Sequence, residues 1–304
     1  MKKIFLFTIL MVSLGAYAQQ DPLFTQYMFN KLVVNPAYAG TQENLTIDLL
    51  DRYQWLGIDG SPRTITIGAH APLKNEKIGL GFYIYRDALG PSINQGFMAT
   101  YAYHIRTMNG HFSFGIQFGF KHYSFDWEAI QAKDPDFLFM PQELQKVYPD
   151  ANLGLYYHTP RFFAGVSTKQ LLQNEYGIGT YDGTTTFSRL LRHFYGMAGF
   201  AIPLDQKIIF RPSTLFKYVK NAPLQMDLNA SFIFNNIFWV GASFRTEKAV
   251  TFLSEFRIAP NIRLGYSFDL YLNELQLHNK GSHEFRLGFD IITSKSRMMT
   301  PRYF

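Results

Sequence analysis

The stretch GHFSFGIQFGFKHY, Gly110 to Tyr123, alternates almost without fault. Phe112, Phe114, Ile116, Phe118 and Phe120 fall on one parity; Ser113, Gly115, Gln117, Gly119 and Lys121 fall on the other. Successive side chains of a β-strand point to opposite faces, so a period of two gives this segment one apolar and one polar face. The pattern returns at Ile262, Leu264, Tyr266, Phe268 and Leu270 against Arg263, Gly265, Ser267 and Asp269. It returns again at Phe285, Leu287, Phe289 and Ile291 against Glu284, Arg286, Gly288 and Asp290. Fainter copies at 44–54, 62–72, 76–86, 93–106, 150–158, 161–168, 191–203, 206–218, 224–234, 237–246 and 249–259 bring the expected strands to fourteen.

Taken in order, the even connections are short: Leu73 to Asn75, Thr107 to Asn109, Thr159-Pro160, Leu204-Asp205, Asn235-Asn236 and Pro260. Their residues are those of tight turns. Several odd connections are long: Trp55 to Ser61, Asp87 to Ser92, Phe125 to Pro149, Lys169 to Leu190 and Asn273 to Lys280. Short turns on one side, long loops on the other and an even number of strands of about ten residues predict an all-β, antiparallel, up-and-down transmembrane barrel over 44–293, both termini periplasmic. A soluble sandwich or propeller also has alternating strands, but gives loop lengths no reason to segregate by side.

In a barrel the polar face lines the lumen, with Gln117, Lys121, Arg263, Asp269, Glu284, Arg286 and Asp290 on it, and the Phe-rich face meets outer-membrane lipid. Tyr83, Tyr85, Tyr101, Tyr103, Tyr156, Tyr157, Tyr218 and Tyr271 suit a girdle at headgroup level, or reflect β propensity alone. The long loops carry Trp127, Phe137, Phe139, Met140, Tyr176, Tyr181 and Phe187, aromatics that favour protein recognition when exposed.

Composition agrees with a membrane-facing β fold. The 304 residues are 47% hydrophobic and 17% aromatic, with 30 Phe and 19 Tyr, too apolar for a disordered chain. The absence of Cys excludes disulfides and Cys-ligated metals. Met1-Lys2-Lys3, the apolar run Ile4 to Leu14 and Ala16-Tyr17-Ala18 read as a signal peptide cleaved after residue 18, and the run is too short to span a bilayer as a helix. The formal charge of +6 is spread thinly, without the basic stripe of a nucleic-acid binder. Gly79-Leu80-Gly81 lacks the third glycine and the following helix of a dinucleotide fingerprint. His111, Ser113 and Asp126 carry no motif of a hydrolase, and no HExxH or Walker sequence is present. The expectation is a non-enzyme without cofactor or metal.

Residues 19–43 precede the first strand. An exposed tail of their composition invites aggregation, so Phe24, Tyr27, Met28, Phe29, Leu32 and Tyr38 are expected to be buried. Phe24, Tyr27, Lys31 and Val34 have near-helical spacing, consistent with a short helix stopped by Asn35-Pro36 that plugs or braces the barrel mouth. Beyond the last strand, the basic tail 294–304 either docks on a periplasmic component or frays.

Three motifs then carry a resemblance: QYMFNKLVVNPAYAG (Gln26 to Gly40), RYQWLGIDGSPRT (Arg52 to Thr64) and HAPL (His70 to Leu73). In this order, with the signal peptide and the His283-Glu284 strand, they resemble the PorP/SprF family of outer-membrane proteins of Bacteroidetes type IX secretion and gliding motility. Tyr53 stands where that family often has a polar residue. The resemblance implies a barrel that works with type IX machinery components and holds secreted proteins at the cell surface through their C-terminal domains, with no catalysis. The motif positions here are Gln26, Tyr27, Asn30, Asn35, Pro36, Tyr38, Gly40, Arg52, Gln54, Trp55, Gly60, Pro62 and Arg63. Asn35-Pro36 and Gly40 suit backbone turns. Arg52, Gln54 and Trp55 end the first strand, where they either anchor a partner chain or form a rim Arg and girdle Trp. The competing function is a channel or transporter for small or hydrophobic solutes.

Overall fold

The computed structural model describes residues 22–73, 76–126, 144–181, 184–246 and 248–291. The expected signal peptide, the tail 294–304 and the loop aromatics Trp127 to Met140 lie outside the described residues.

Fourteen strands form one antiparallel sheet that closes on itself. They are β1 Leu45–Tyr53, β2 Arg63–Pro72, β3 Ile78–Leu89, β4 Ser92–Arg106, β5 His111–Phe125, β6 Leu144–His158, β7 Phe162–Lys169, β8 His193–Phe200, β9 Ile208–Val219, β10 Gln225–Phe234, β11 Phe238–Arg245, β12 Ala249–Ala259, β13 Ile262–Tyr271 and β14 Ser282–Ile291. Each strand pairs with its sequence neighbours. Closure comes from β1 against β14, with Leu45 opposite Ile291 and Tyr53 opposite His283. A short stretch, Ile202–Pro203, continues β8 along β9.

Alternation decides which side each residue faces. Phe118, Phe120, Phe252 and Phe285 are all more than half exposed on the outer surface, while Gln117, Lys121, Asp269, Glu284 and Arg286 are buried inside. An apolar outer wall around a charged interior is stable only with lipid on the outside. Half of the expected girdle is corrected: Tyr101, Tyr103 and Tyr218 face outward, but Tyr83, Tyr85, Tyr156 and Tyr271 share parity with the polar residues and are buried in the lumen.

The two ends of the barrel differ, with adjustments. The expected loop Asp87 to Ser92 shrinks to the turn Gly90-Pro91, because β3 runs on to Leu89. β6 begins at Leu144, ahead of the expected strand at 150–158. Between β7 and β8 the chain forms a separate hairpin, Glu175–Tyr181 against Thr184–Arg189. At this end the first and last loops interlock: Leu56 N–H donates to the Gly281 carbonyl at 2.9 Å and Lys280 N–H to Leu56 at 2.7 Å.

Candidate functional site

The lumen holds the chain's own N-terminal segment. Thr25 lies beside Asp269 and Glu284, at the long-loop ends of β13 and β14. Gly40 lies against Gly79 and Ala71, at the short-turn ends of β3 and β2. The segment therefore runs the length of the barrel, from the long-loop end down to the end where β1 begins. Leu45 and Ile291 share the short-turn end as expected, but the described chain starts at the opposite end. Every residue from Phe24 to Thr41 is buried.

Its conformation follows from local sequence. In place of one helix stopped at Asn35-Pro36, two short 3₁₀ turns form, Lys31–Val33 and Pro36–Tyr38. Pro36 starts the second turn because a proline at the first position forfeits no hydrogen bond. Asn35, extended at φ −135°, caps it by accepting the Ala37 N–H at 3.0 Å. Gly40 has φ +74°, and a Cβ there would stand 2.4 Å from Gly79 Cα, so only glycine fits.

At the long-loop end a charge cluster grips the segment. Arg52 donates to Asp269 at 2.7 Å and to Glu284 at 3.2 Å. Arg245 forks onto Asp227 at 3.0 and 3.1 Å and lies 3.7 Å from Asp269, which also accepts from Thr251 at 2.7 Å. Two guanidiniums thus face three carboxylates, and the segment supplies further donors. Thr25 N–H and Gln26 N–H donate to the two oxygens of Glu284 at 2.9 and 2.7 Å, and Thr25 Oγ1 donates to Asp269 at 3.0 Å. Gln26 Nε2 also donates to the Glu284 carbonyl at 2.9 Å. Buried charges survive only when paired and hydrogen-bonded, so the segment is part of what makes the cluster tolerable.

Lower down, the wall satisfies the segment's backbone. Arg211 donates to the Met28 carbonyl at 2.9 Å, Gln117 to Leu32 at 3.5 Å and Ser167 to Val34 at 2.7 Å. Phe29 lies between the guanidiniums of Arg211 and Arg286, 5.8 and 5.5 Å from its ring centre. Arg286 is itself held by Asp48 and Glu255. The Lys31 ammonium donates to the Met28 carbonyl at 3.0 Å and stands about 5 Å over the rings of Tyr38 and Phe163. Tyr38 packs edge-on against His70 and Tyr156. Asn35 Nδ2 bridges the carbonyls of Leu155 and Val166 at 2.9 and 3.3 Å. This close approach needs a wall without side chains: a Cβ on Gly154 would meet Asn35 Oδ1 at 2.0 Å, and one on Gly115 would meet Ala37 N at 2.2 Å.

The motif residues fall into two groups. Gln26, Tyr27, Asn30, Asn35, Pro36, Tyr38 and Gly40 are all in the lumen. Arg52 joins them there at 1% exposure, which corrects its expected place as a rim or partner-binding residue: Thr46, Asp48 and Arg52 share the inward parity of β1. Trp55 is half-buried; its ring packs edge-on to Tyr271 at 6.3 Å and its backbone N–H donates to Ser282 Oγ at 3.0 Å. Gln54 N–H donates to the Pro62 carbonyl at 2.9 Å, and the Gly60 carbonyl accepts from Gly90 at 2.8 Å, so this motif closes the loop after β1. Arg63 faces outward and pairs with Asp51 at 2.9 Å.

Sequence reasoning did not single out Thr25, Arg211 or Ser167 as partners of this segment; parity would have put Arg211 and Ser167 inside, but not against particular carbonyls. The three residues weighed as a hydrolase are apart. Ser113 bonds to His104 Nδ1 at 2.7 Å, and Asp126 follows the far end of the strand that His111 begins.

Solved structures with a similar fold include the monoaromatic hydrocarbon channel CymD, at 10% identity and TM-score 0.50 over 91% of this chain and 94% of that one. The outer membrane protein Omp33 of Acinetobacter baumannii matches at 9% identity, TM-score 0.49, over 83% and 100%. The toluene transporter TodX of Pseudomonas putida matches at 11%, TM-score 0.48, over 86% and 93%. No curated protein matches the sequence. Residues 16–289 match the family described as type IX secretion system membrane protein PorP/SprF, and the chain, with the first of its motifs buried along a threaded lumen, belongs to that family.

Proposed function

We propose that the protein is a non-enzymatic outer-membrane component of type IX secretion that supports the export and cell-surface attachment of secreted proteins, acting as a closed scaffold. The observation that carries this reading is the filled lumen. Asp227, Asn229 and Ser231 on β10 and Thr251 and Glu255 on β12 face inward, yet each is at most 5% exposed. A water-filled channel would leave such residues wet. With solute passage disfavoured, what the barrel offers other proteins is its two ends. The long-loop end, with the interlocked first and last loops and the hairpin 175–189, is the surface for a secreted client's C-terminal domain. The short-turn end, with Leu45 and Ile291, faces the periplasm and the machinery.

The test is gentle extraction of a tagged copy from its own host at native expression, followed by mass spectrometry. Co-purification of a large secreted protein with a type IX C-terminal domain and of periplasmic machine components is the expected result. A barrel that comes out alone after mild cross-linking, and conducts in planar bilayers with defined solute dependence, would establish the channel reading instead.

A further inference from the structure

The outer wall carries a polar row near the long-loop ends of β1 to β5. Following the register around the barrel, Asp51 stands opposite Ile65, Ile65 opposite Arg86, Arg86 opposite Gln95, Gln95 opposite His122 and His122 opposite Val147. One step toward the middle of the wall, the corresponding row is Leu49, Ile67, Ile84, Phe97, Phe120 and Pro149, without a polar side chain. The change from charge to hydrocarbon is complete within two residues, roughly 7 Å along the strand.

Arg86 is the distinctive member. Among the described residues, the outward strand positions of the lipid-facing wall hold two arginines, Arg63 and Arg86, on neighbouring strands. Arg63 is neutralised by Asp51 at 2.9 Å. Arg86 is exposed and makes no ion pair among the described residues. Gln95 beside it donates its Nε2 to His122 Nδ1 at 3.1 Å, and both side chains line the same patch. These side chains rim a groove of about 350 Å³ whose floor is Ile65, Ile67, Ile84, Phe97 and Phe120. An unpaired guanidinium on a lipid-facing wall is tolerated only near the headgroups, where its cost falls to roughly 0–1 kcal/mol.

We propose that this groove is a binding site for one membrane lipid with a net-anionic, phosphate-bearing headgroup, in the leaflet at the long-loop end. Arg86 takes the phosphate, since a guanidinium fork matches phosphate oxygens and finds here no carboxylate of its own. Gln95 and His122 give the headgroup lateral donors. The acyl chain lies down the groove against Ile67, Ile84 and Phe97. Charge complementarity at the rim and hydrocarbon on the floor select an amphiphile over a free anion or a protein segment.

The test is native mass spectrometry of the full-length barrel released from detergent, titrated with phosphatidylglycerol, phosphatidylcholine or inorganic phosphate. Phosphatidylglycerol is expected to bind about fivefold tighter than phosphatidylcholine, the worth of one basic residue at an anionic lipid surface. Arg86→Gln removes that preference and Gln95→Ala weakens it, while both variants keep the heat-modifiable gel shift of a folded barrel. An Arg63→Gln variant keeps the preference, because Arg63 is already paired. Equal binding of the two lipids, an unchanged preference in Arg86→Gln, or inorganic phosphate that competes as well as the lipid would each overturn the proposal.

Discussion

Glu284 holds Gln26 twice: its carboxylate accepts the Gln26 N–H at 2.7 Å, and its backbone carbonyl accepts the Gln26 side-chain amide at 2.9 Å. One residue of the closing strand thereby fixes the start of the segment inside the barrel that this strand closes. Glu284 stands opposite Arg52 on β1, so closure and threading depend on the same cluster.

Removing Arg52 strips the nearest cation from Asp269 and Glu284, both 0% exposed. Arg52→Ala is expected to cost about 3–5 kcal/mol, the usual penalty for orphaning buried charges. Arg52→Lys is expected to recover only part of it, because an ammonium cannot fork between two carboxylates and a threonine hydroxyl. Urea titration of the heat-modifiable band in detergent measures both; near wild-type stability in Arg52→Ala would show that the cluster contributes little.

Wall glycines set a steric test. Gly154→Val drives a Cβ into Asn35 and is expected to expel the 35–38 turn, exposing residues 22–41 to protease while the barrel band persists. The same exchange at Gly196, where the nearest atoms lie 3.9 Å away, is expected to leave the segment protected. Equal protection in both variants would place the segment away from this wall.

How much of this was legible in sequence depends on which physical signal each feature leaves. The strands around Phe112–Phe120 and Phe285–Ile291 declare themselves, because burial in lipid and in the lumen enforces period two. The same parity contained the lumenal place of Arg52, Tyr83 and Tyr156, yet their residue types suggested the rim, and type is the weaker guide inside a barrel whose lumen is packed. The burial of Phe24 to Tyr38 was readable from composition. Its direction through the barrel was not, since Asn35 meets Gly154 and Gly165 about 120 residues away and no local pattern encodes that contact. The turn at Gly90-Pro91 was missed because Asp87 to Leu89 read as loop residues but extend the ladder of β3.

Orientation has its own test. A cysteine at Asp59, in the loop after β1, is expected to react with an impermeant maleimide on intact cells, and one at Asn109, in a short turn, only after permeabilisation. A cysteine at Pro22 is expected to follow Asp59, because the segment starts at the long-loop end. The reverse pattern would invert the barrel in the membrane.

The threaded lumen is tested most directly by a disulfide. The chain has no Cys, so a single engineered pair reads cleanly. A Cβ on Gly154 lies 3.0 Å from Asn35 Cγ, which brings the two β-carbons within reach of a bridge. In Asn35→Cys/Gly154→Cys barrels oxidised in the membrane, the account predicts a reducible cross-link that shifts the denatured band and leaves no thiol for maleimide. Two free, reactive thiols in a barrel that still shows its heat-modifiable shift would contradict it.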